Sequence, residues 1–132
     1  MRIVLLAAAV IASPALAQKP AKAPSAPHPG AEVYQNICQA CHMANALGGE
    51  GAGKIPALAK NGALEAAAYP IMVVTGGKNG MPWFRGGLSD QQISDVINYV
   101  RSNFGNKYKD KVTPAMVAEL GVPAPKGGNR EQ

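Results

Sequence analysis

The segment Cys38-Gln39-Ala40-Cys41-His42 decides the fold of this 132-residue chain. It contains both cysteines of the sequence, and the histidine directly follows the second of them. On a helix, thiols at this spacing lie about one turn apart, so each can add to a vinyl group of a haem while the following imidazole reaches the iron. The pattern therefore predicts one covalently bound haem c, with Cys38 and Cys41 as attachment residues and His42 as an axial iron ligand.

Three other interpretations of the cysteine pair explain less of the sequence. A zinc site commonly needs four protein ligands, and the chain has only this one pair. A thioredoxin-like redox pair belongs in a βαβ unit, whereas the pattern around this pair is helical. A structural disulfide leaves His42 unexplained. It also leaves unexplained how the domain is stabilised, since its core is thin: 15 residues of the chain are glycine and many of its apolar residues are alanine. A haem would supply the missing apolar body.

The first residues have the composition of a secretion signal. A positive charge is followed by an apolar stretch, and Ala15-Leu16-Ala17 matches a small-x-small cleavage site. We therefore expect residues 1–17 to be a cleaved signal peptide and the protein to be exported to the periplasm. That compartment is oxidising, so the two thiols should be covalently occupied there. Residues 18–29 are rich in Pro, Ala and Lys and are expected to form a linker in which His28 is a solvated side chain.

The folded domain is predicted to be all-α and to span about residues 30–105. Its first helix begins near Pro29-Gly30 and carries the cysteine–histidine motif. Its last helix has a capping box formed by Ser89 and Gln92, and Gly105 is expected to end it. The apolar stripe of that last helix consists of Ile93, Val96, Ile97, Val100 and Phe104.

Two shorter helices are predicted between these, over about residues 63–69 and from Pro70 to Gly77. The C-terminal residues 106–132 are expected to form an appendage outside the domain. Thr113-Pro114 has the chemistry of a helix start, which predicts a short surface helix there. After Leu120 the sequence has little to bury and is expected to be a disordered tail.

The iron needs a sixth ligand, and methionine is the candidate side chain. Of the five methionines, Met43 directly follows the first ligand and cannot reach the opposite face of the haem, and Met116 lies in the C-terminal appendage. Met72 belongs to an apolar helical turn and is expected to pack in the core. Met81 stands in the non-helical stretch 76–83, where glycines allow close backbone approach and a proline stiffens the chain. We therefore predict Met81 as the second axial ligand.

Three segments, in this order along the chain, resemble the class I cytochromes c in their small bacterial monohaem form. They are Cys38–His42, Gly80-Met81-Pro82 and Ile97-Asn98-Tyr99-Val100. The resemblance covers about residues 30–105. It implies the cytochrome c fold, in which the N- and C-terminal helices cross around a covalently attached haem.

The same resemblance implies roles for individual residues. Tyr34 and Tyr99 match the aromatic positions where the two helices cross. Pro56 matches the loop proline whose neighbouring carbonyl accepts the imidazole proton of the iron ligand. Tyr69 and Trp83 are further candidates for the haem pocket. The chain beyond the domain departs from the family pattern, so the resemblance gives it no role.

With both axial positions filled, the iron would be closed to substrates and suited to passing single electrons. The resemblance implies a periplasmic electron carrier, not itself an enzyme. It would accept electrons from a dehydrogenase and pass them towards a terminal oxidase or another cytochrome. Two alternatives stay open: a cytochrome subunit of a flavin- or quinone-dependent dehydrogenase complex, and a haem enzyme or gas sensor with an open iron site.

Charge and hydropathy exclude other classes of partner. The formal net charge of +5, from 13 basic and 8 acidic residues, is mild and spread along the chain, so a nucleic acid partner is not expected. No apolar run reaches the roughly 18 residues that a membrane span requires. We therefore expect no membrane span after signal cleavage.

Overall fold

The computed structural model describes residues 28–50 and 53–124. The predicted signal peptide, most of the predicted linker and the end of the predicted tail lie outside these residues. Within the described part, no helix is long and apolar enough to span a bilayer. The elements in chain order are α1 (Pro29–Val33), a π-helical turn (Tyr34–Cys38), α2 (Gln39–His42), β1 (Gly49–Glu50), β2 (Lys54–Ile55), a 3-10 turn (Gly62–Leu64), α3 (Ala68–Gly76), α4 (Asp90–Ser102) and α5 (Pro114–Leu120).

The described chain is mainly helical, with one short exception. β1 and β2 pair antiparallel, with Gly49 opposite Ile55 and Glu50 opposite Lys54. This two-residue ladder lies in the glycine-containing loop after the motif and adds no sheet to the core. The helical class predicted from the sequence therefore holds for the elements that pack together.

The motif lies on a helical run made of α1, the π-turn and α2. The run begins at Pro29, as predicted, because a proline at the first helical position costs no hydrogen bond. The expectation that His28 is a solvated linker residue is wrong. Its Nδ1 accepts a hydrogen bond from the amide of Gly30 at 3.2 Å, and its ring centroid lies 5.5 Å from that of Tyr99. His28 therefore caps α1, since the first amides of a helix have no acceptor within the helix.

The backbones of α1 and α4 touch at Gly30. A Cβ at this position would overlap the carbonyl of Asp95 and lie 2.7 Å from the Cα of Val96. Further along the run, Tyr34 is 1% exposed, and its ring centroid lies 5.6 Å from that of Tyr99. The first and last helices of the predicted domain are thus in direct contact, with Tyr34 and Tyr99 packed together at that contact.

α4 begins where the sequence predicts it. The Ser89 hydroxyl accepts a hydrogen bond from the Gln92 amide at 3.2 Å, and the Gln92 side chain accepts one from the Ser89 amide at 3.0 Å. The predicted capping box is therefore confirmed. It satisfies two amides that have no partner within the helix.

α4 ends earlier than predicted, at Ser102 rather than at the glycine at position 105. Phe104, predicted to extend the apolar stripe, has a left-handed φ of 55° and lies outside the helix. Its ring still packs on Tyr34, with the centroids 4.9 Å apart. The carbonyl of Val100 stays bonded although the helix stops, because it accepts from the Asn103 amide at 3.4 Å and from Nδ2 of Asn106 at 2.8 Å.

The two short helices predicted before α4 have other boundaries. Gly62–Leu64 is a 3-10 turn and α3 runs from Ala68 to Gly76, so Pro70 lies in the first turn of α3 instead of starting a new helix. Proline fits there because first-turn amides have no acceptor within the helix. Ile71 and Thr75, both 0% exposed, face the protein interior.

The packed core extends beyond residue 105, where the sequence predicts the end of the domain. α5 begins at Pro114 with Thr113 as its cap and lies at the surface, as predicted, since four of its seven residues are exposed. It also packs against the domain, because Val117 is 0% exposed. Asn98 on α4 fixes the preceding segment: its Nδ2 donates to the carbonyl of Val112 at 2.8 Å and its Oδ1 accepts from the same residue's amide at 2.9 Å. The core cluster at this contact consists of Ile71, Ile93, Ile97, Val112 and Val117.

Arg101 ties this C-terminal segment to the rest of the domain. Its side chain is 1% exposed and donates to the backbone carbonyls of Leu64 at 2.9 Å, Glu65 at 2.8 Å and Asp110 at 2.6 Å. A further hydrogen bond of 2.7 Å reaches the Asp110 carboxylate and lowers its pKa. A guanidinium is tolerated in the interior here because its donors are satisfied.

Gly30→Ala is expected to lower the free energy of unfolding by about 1–3 kcal/mol, because overpacking would force α1 and α4 apart. Gly62→Ala is the matched control, since a Cβ at Gly62 meets nothing within 4 Å. It should change the free energy of unfolding by less than about 0.5 kcal/mol. Urea denaturation followed by circular dichroism measures both variants. Equal stabilities would contradict the close contact at Gly30.

Candidate functional site

The two cysteines of the motif differ in their exposure. Cys38 ends the π-turn and is half-buried, whereas Cys41 lies on α2 and is exposed; both are free thiols. Burial raises the pKa of Cys38 to about 11, so this thiol is protonated near neutral pH. The π-turn places Cys38 at a local widening of the helix, a feature that often marks functional sites. The motif thus presents two separate sulfur atoms on one helical run.

His42 is nearly buried, with 6% of its surface exposed, at the end of α2. Its Nδ1 lies 3.2 Å from the carbonyl oxygen of Pro56. Because a carbonyl can only accept, Nδ1 carries the proton and the lone pair is on Nε2. Burial lowers the pKa of the imidazole, an effect that the hydrogen bond to Pro56 opposes. The ring is therefore oriented and held neutral, which is the form that ligates a metal ion.

The loop between α2 and Pro56 positions the Pro56 carbonyl beside His42. Gly48 has a φ of 67°, and a Cβ there would lie 2.9 Å from the carbonyl carbon and oxygen of Pro56. The Gly48 amide donates to the carbonyl of His42 at 3.2 Å. Ala46 is 0% exposed, and its carbonyl accepts the amide of Leu58 at 2.8 Å. Only glycine fits at position 48, because the chain before the loop and the chain after it touch at this point.

Met81 lies in a tight turn that follows α3. The amide of Lys78 donates to the Met81 carbonyl at 3.0 Å, and the Met81 amide donates to the Lys78 carbonyl at 2.9 Å. Gly77 has a φ of 73°, and a Cβ there would lie 2.8 Å from the Met81 carbonyl oxygen and 3.0 Å from the Trp83 amide nitrogen. At Gly80, in contrast, a Cβ would meet nothing within 4 Å. Met81 is therefore held in a non-helical loop by backbone contacts that require glycine at position 77.

Large apolar side chains near this loop are exposed: Tyr69 is 39%, Met72 51% and Trp83 41% exposed. Tyr69 and Met72 are three residues apart and share one side of α3. The expectation that Met72 packs in the core is wrong, because its neighbour Ile71 takes the core-facing position. Lys78 joins α3 to the loop, since its Nζ lies 3.3 Å from the Tyr69 hydroxyl and 5.1 Å from the ring centroid.

The chemistry of these groups fits a haem. Two thiols lie on one helical run, a neutral imidazole has a nitrogen available, and a thioether stands in a constrained loop. Residues 76–83 line an open depression of about 340 Å³. Apolar surface is also exposed just after the motif, where Met43 is 44% and Leu47 61% exposed. An apolar cofactor bound by these groups would cover that surface.

The site residues predicted from the sequence fall into two groups in the structure. His42 and Pro56 are in contact in the first group. Met81 and Trp83 lie in the loop after α3, and Tyr69 on α3 is joined to that loop through Lys78, which makes the second group. The sequence did not predict the roles of two residues that shape these groups, because neither a glycine's φ nor a lysine–tyrosine pair nine residues apart leaves a local signal. They are Gly48 and Lys78.

Similar proteins are found among cytochromes. Residues 25–100 match the protein family described as cytochrome c oxidase, cbb3-type, subunit III. Cytochrome c6 of Bumilleriopsis filiformis is 44% identical over 75 residues, which cover 55% of this chain and 86% of that protein. The cytochrome c subunit of the quinone alcohol dehydrogenase of Gluconacetobacter polyoxogenes is 33% identical over 131 residues, covering 87% of this chain and 28% of that protein.

A second dehydrogenase subunit is similar over a shorter stretch. The gluconate 2-dehydrogenase cytochrome c subunit of Pantoea cypripedii is 36% identical over 105 residues, covering 69% of this chain and 23% of that protein. The chain thus spans 28% and 23% of the lengths of the two dehydrogenase subunits. It spans 86% of the cytochrome c6.

Gly77→Ala is expected to loosen the turn that holds Met81, because a side chain at a φ of 73° would clash with the Met81 backbone. The Lys78 amide, hydrogen-bonded to the Met81 carbonyl, should then exchange with solvent at least about tenfold faster, as a lower local stability requires. Gly80→Ala is the matched control and should leave this exchange unchanged. Hydrogen–deuterium exchange followed by NMR measures both. Equal protection in the two variants would show that Gly77 is not needed for the turn.

Proposed function

Because the chain belongs to the family of class I c-type cytochromes, electron-transfer proteins that bind haem c, we propose that it carries single electrons in the periplasm. Cys38 and Cys41 attach the haem in this proposal, and His42 and Met81 are the axial ligands of its iron. The hydrogen bond of 3.2 Å between His42 Nδ1 and the carbonyl of Pro56 carries the proposal. It orients the imidazole and leaves Nε2 for the iron.

When bound, the haem supplies an iron that exchanges one electron between its ferrous and ferric states. The chain would hold that iron through His42 and Met81. Pro56 fixes the orientation of His42, and the turn with Lys78 fixes Met81. As a ligand, the soft thioether of Met81 would favour the reduced state and raise the reduction potential. Tyr69 and Trp83 would exclude water from the pocket. With His42 and Met81 both bound, the iron would have no place for a substrate or a gas, in contrast to a haem enzyme or sensor.

Two roles suit an electron-transfer cytochrome of this size. The match that spans 86% of a cytochrome c6 supports a free carrier, which would accept electrons from a periplasmic dehydrogenase and pass them to a terminal oxidase or another cytochrome. The match of 87% of this chain to the cytochrome c subunit of a quinone alcohol dehydrogenase supports a second role, as a subunit of a flavin- or quinone-dependent dehydrogenase complex. Both roles include export through a signal peptide over residues 1–17.

Met81→Ala tests the assignment of the second ligand. The ferric wild type should show the weak red absorption band of a sulfur–iron bond, and the ferrous form should resist carbon monoxide at neutral pH. Met81→Ala should abolish the band, lower the reduction potential and let carbon monoxide bind, because a harder ligand would replace the thioether. Absorption spectroscopy and redox titration measure these changes.

Met72→Leu is the matched control for Met81→Ala. Met72 is 51% exposed, so this change should keep the band and cost less than about 1.5 kcal/mol of stability. A band that is lost in Met72→Leu and kept in Met81→Ala would assign the ligation to Met72. A wild-type protein that binds carbon monoxide readily would contradict the closed iron and favour a haem enzyme or sensor.

Size-exclusion chromatography of a native periplasmic extract separates the two roles. A free carrier should elute, by its haem absorbance, near the mass of the processed chain, which is below the 13.6 kDa of the full sequence. A dehydrogenase subunit would instead elute with its larger enzyme, and the haem absorbance would coincide with dehydrogenase activity. Co-elution with the dehydrogenase that persists at high ionic strength would refute the role of a free carrier.

A further inference from the structure

The C-terminal segment, residues 106–122, contacts the start of the loop that holds Met81. The amide of Val122 donates a hydrogen bond to Oγ1 of Thr75 at 2.9 Å. Thr75 is 0% exposed and lies in the last turn of α3. The side chain of Val122 also covers Gly76, where a Cβ would lie 2.7 Å from the valine Cγ2. The point where the chain leaves α3 towards Met81 is therefore fixed from outside the helix.

The same segment contacts the far end of that loop. Arg85 lies after Met81, and its Nη1 donates to the carbonyl of Val117, the middle residue of α5, at 3.0 Å. Its Nη2 lies 3.3 Å from the Asp90 carboxylate at the start of α4. The Arg85 side chain is only 17% exposed. The exit of the loop is thus bonded to both α5 and α4.

The two contacts meet at Gly121. A Cβ at this position would overlap Nη1 of Arg85 and lie 3.0 Å from Cγ2 of Thr75. The absence of a side chain therefore lets both ends of the loop approach the segment at one point. The segment can hold the loop in place because it is itself fixed to the domain: Val112 and Val117 are buried in the core, and Asp110 is bonded to Arg101.

We propose that the C-terminal segment clamps the Met81 loop closed and so controls how readily Met81 leaves the iron. Thr75 and Arg85 are the positioning residues of this clamp. The inference rests on the proposed function, in which Met81 is an axial ligand. An external ligand would bind the iron only while Met81 is displaced. The apparent affinity of that ligand therefore equals its intrinsic affinity multiplied by the small fraction of molecules whose loop is open. Weakening the clamp raises that fraction.

The test is the affinity of the full-length, haem-loaded ferric protein for imidazole, measured by the loss of the sulfur–iron band. Thr75→Val removes the acceptor for the Val122 amide but keeps the branched shape at Cβ. Arg85→Met removes the donor to the Val117 carbonyl but keeps an unbranched chain. Each variant should bind imidazole roughly fivefold more tightly, the factor that corresponds to the net contribution of about one hydrogen bond. Thr75→Ser, which keeps the hydroxyl, should restore the wild-type affinity.

Two controls separate the clamp from general loss of stability. Val96→Ala removes side-chain volume from the core cluster that Val96 forms with Val33, Tyr34, Ala46, Leu64 and Val100. It should lower global stability without changing imidazole affinity. Asp90→Asn removes the ion pair of Arg85 but leaves its hydrogen bond to α5, so its affinity should stay within about twofold of wild type, as a partly exposed ion pair contributes little.

Several outcomes would overturn the proposal. Unchanged affinity in Thr75→Val and Arg85→Met, in a protein whose wild type shows the sulfur–iron band, would contradict the clamp and leave the Met81 ligation standing. An equal increase in Val96→Ala would show that global stability controls displacement, which also contradicts the clamp. A wild type without the band, whose imidazole affinity is unaffected by Met81→Ala, would refute the ligation and the clamp together.

Discussion

The backbone contact between Gly30 and α4 fixes the helical run on which the whole motif lies. The run is held on both sides of that contact, since His28 caps its first turn and the Tyr34 hydroxyl donates to the Met43 carbonyl, just beyond the motif, at 2.8 Å. Burial raises the pKa of Tyr34 to about 12, so the hydroxyl keeps the proton that this bond needs. The two cysteines and the histidine therefore project from a helix whose position α4 determines.

The large apolar side chains of this chain serve two different purposes. Some form two small clusters around α4, whereas Met43, Leu47, Tyr69, Met72 and Trp83 are each between 39% and 61% exposed. The second set lies in the segments that carry or flank the candidate haem ligands. A cofactor that covers this set contributes to the stability of the folded state, so haem binding and folding are coupled in this account.

Local patterns were sufficient for features whose partners lie nearby in the sequence. The cysteine–histidine spacing, the capping box at the start of α4 and the start of α5 each depend on bonds or faces within one helical turn. Features that depend on distant partners could not be predicted: Arg101 bonds to Leu64, 37 residues away, and Arg85 to Val117, 32 residues away. The exposure of Met72 belongs to this class as well, because α3 is apolar on most of its sides and its sequence does not show which side faces the core.

In the proposed cytochrome, His42 and Met81 would hold the iron in both oxidation states, with His42 oriented by Pro56 and Met81 held by its loop. Iron K-edge X-ray absorption of the purified wild-type protein, recorded in the ferric and in the ferrous form, measures the atoms bound to the metal directly. Ligation by His42 and Met81 predicts one sulfur neighbour beside the nitrogen neighbours, at nearly the same distance in both states. A coordination shell of nitrogen and oxygen atoms alone, or a sulfur neighbour present in only one state, would contradict it.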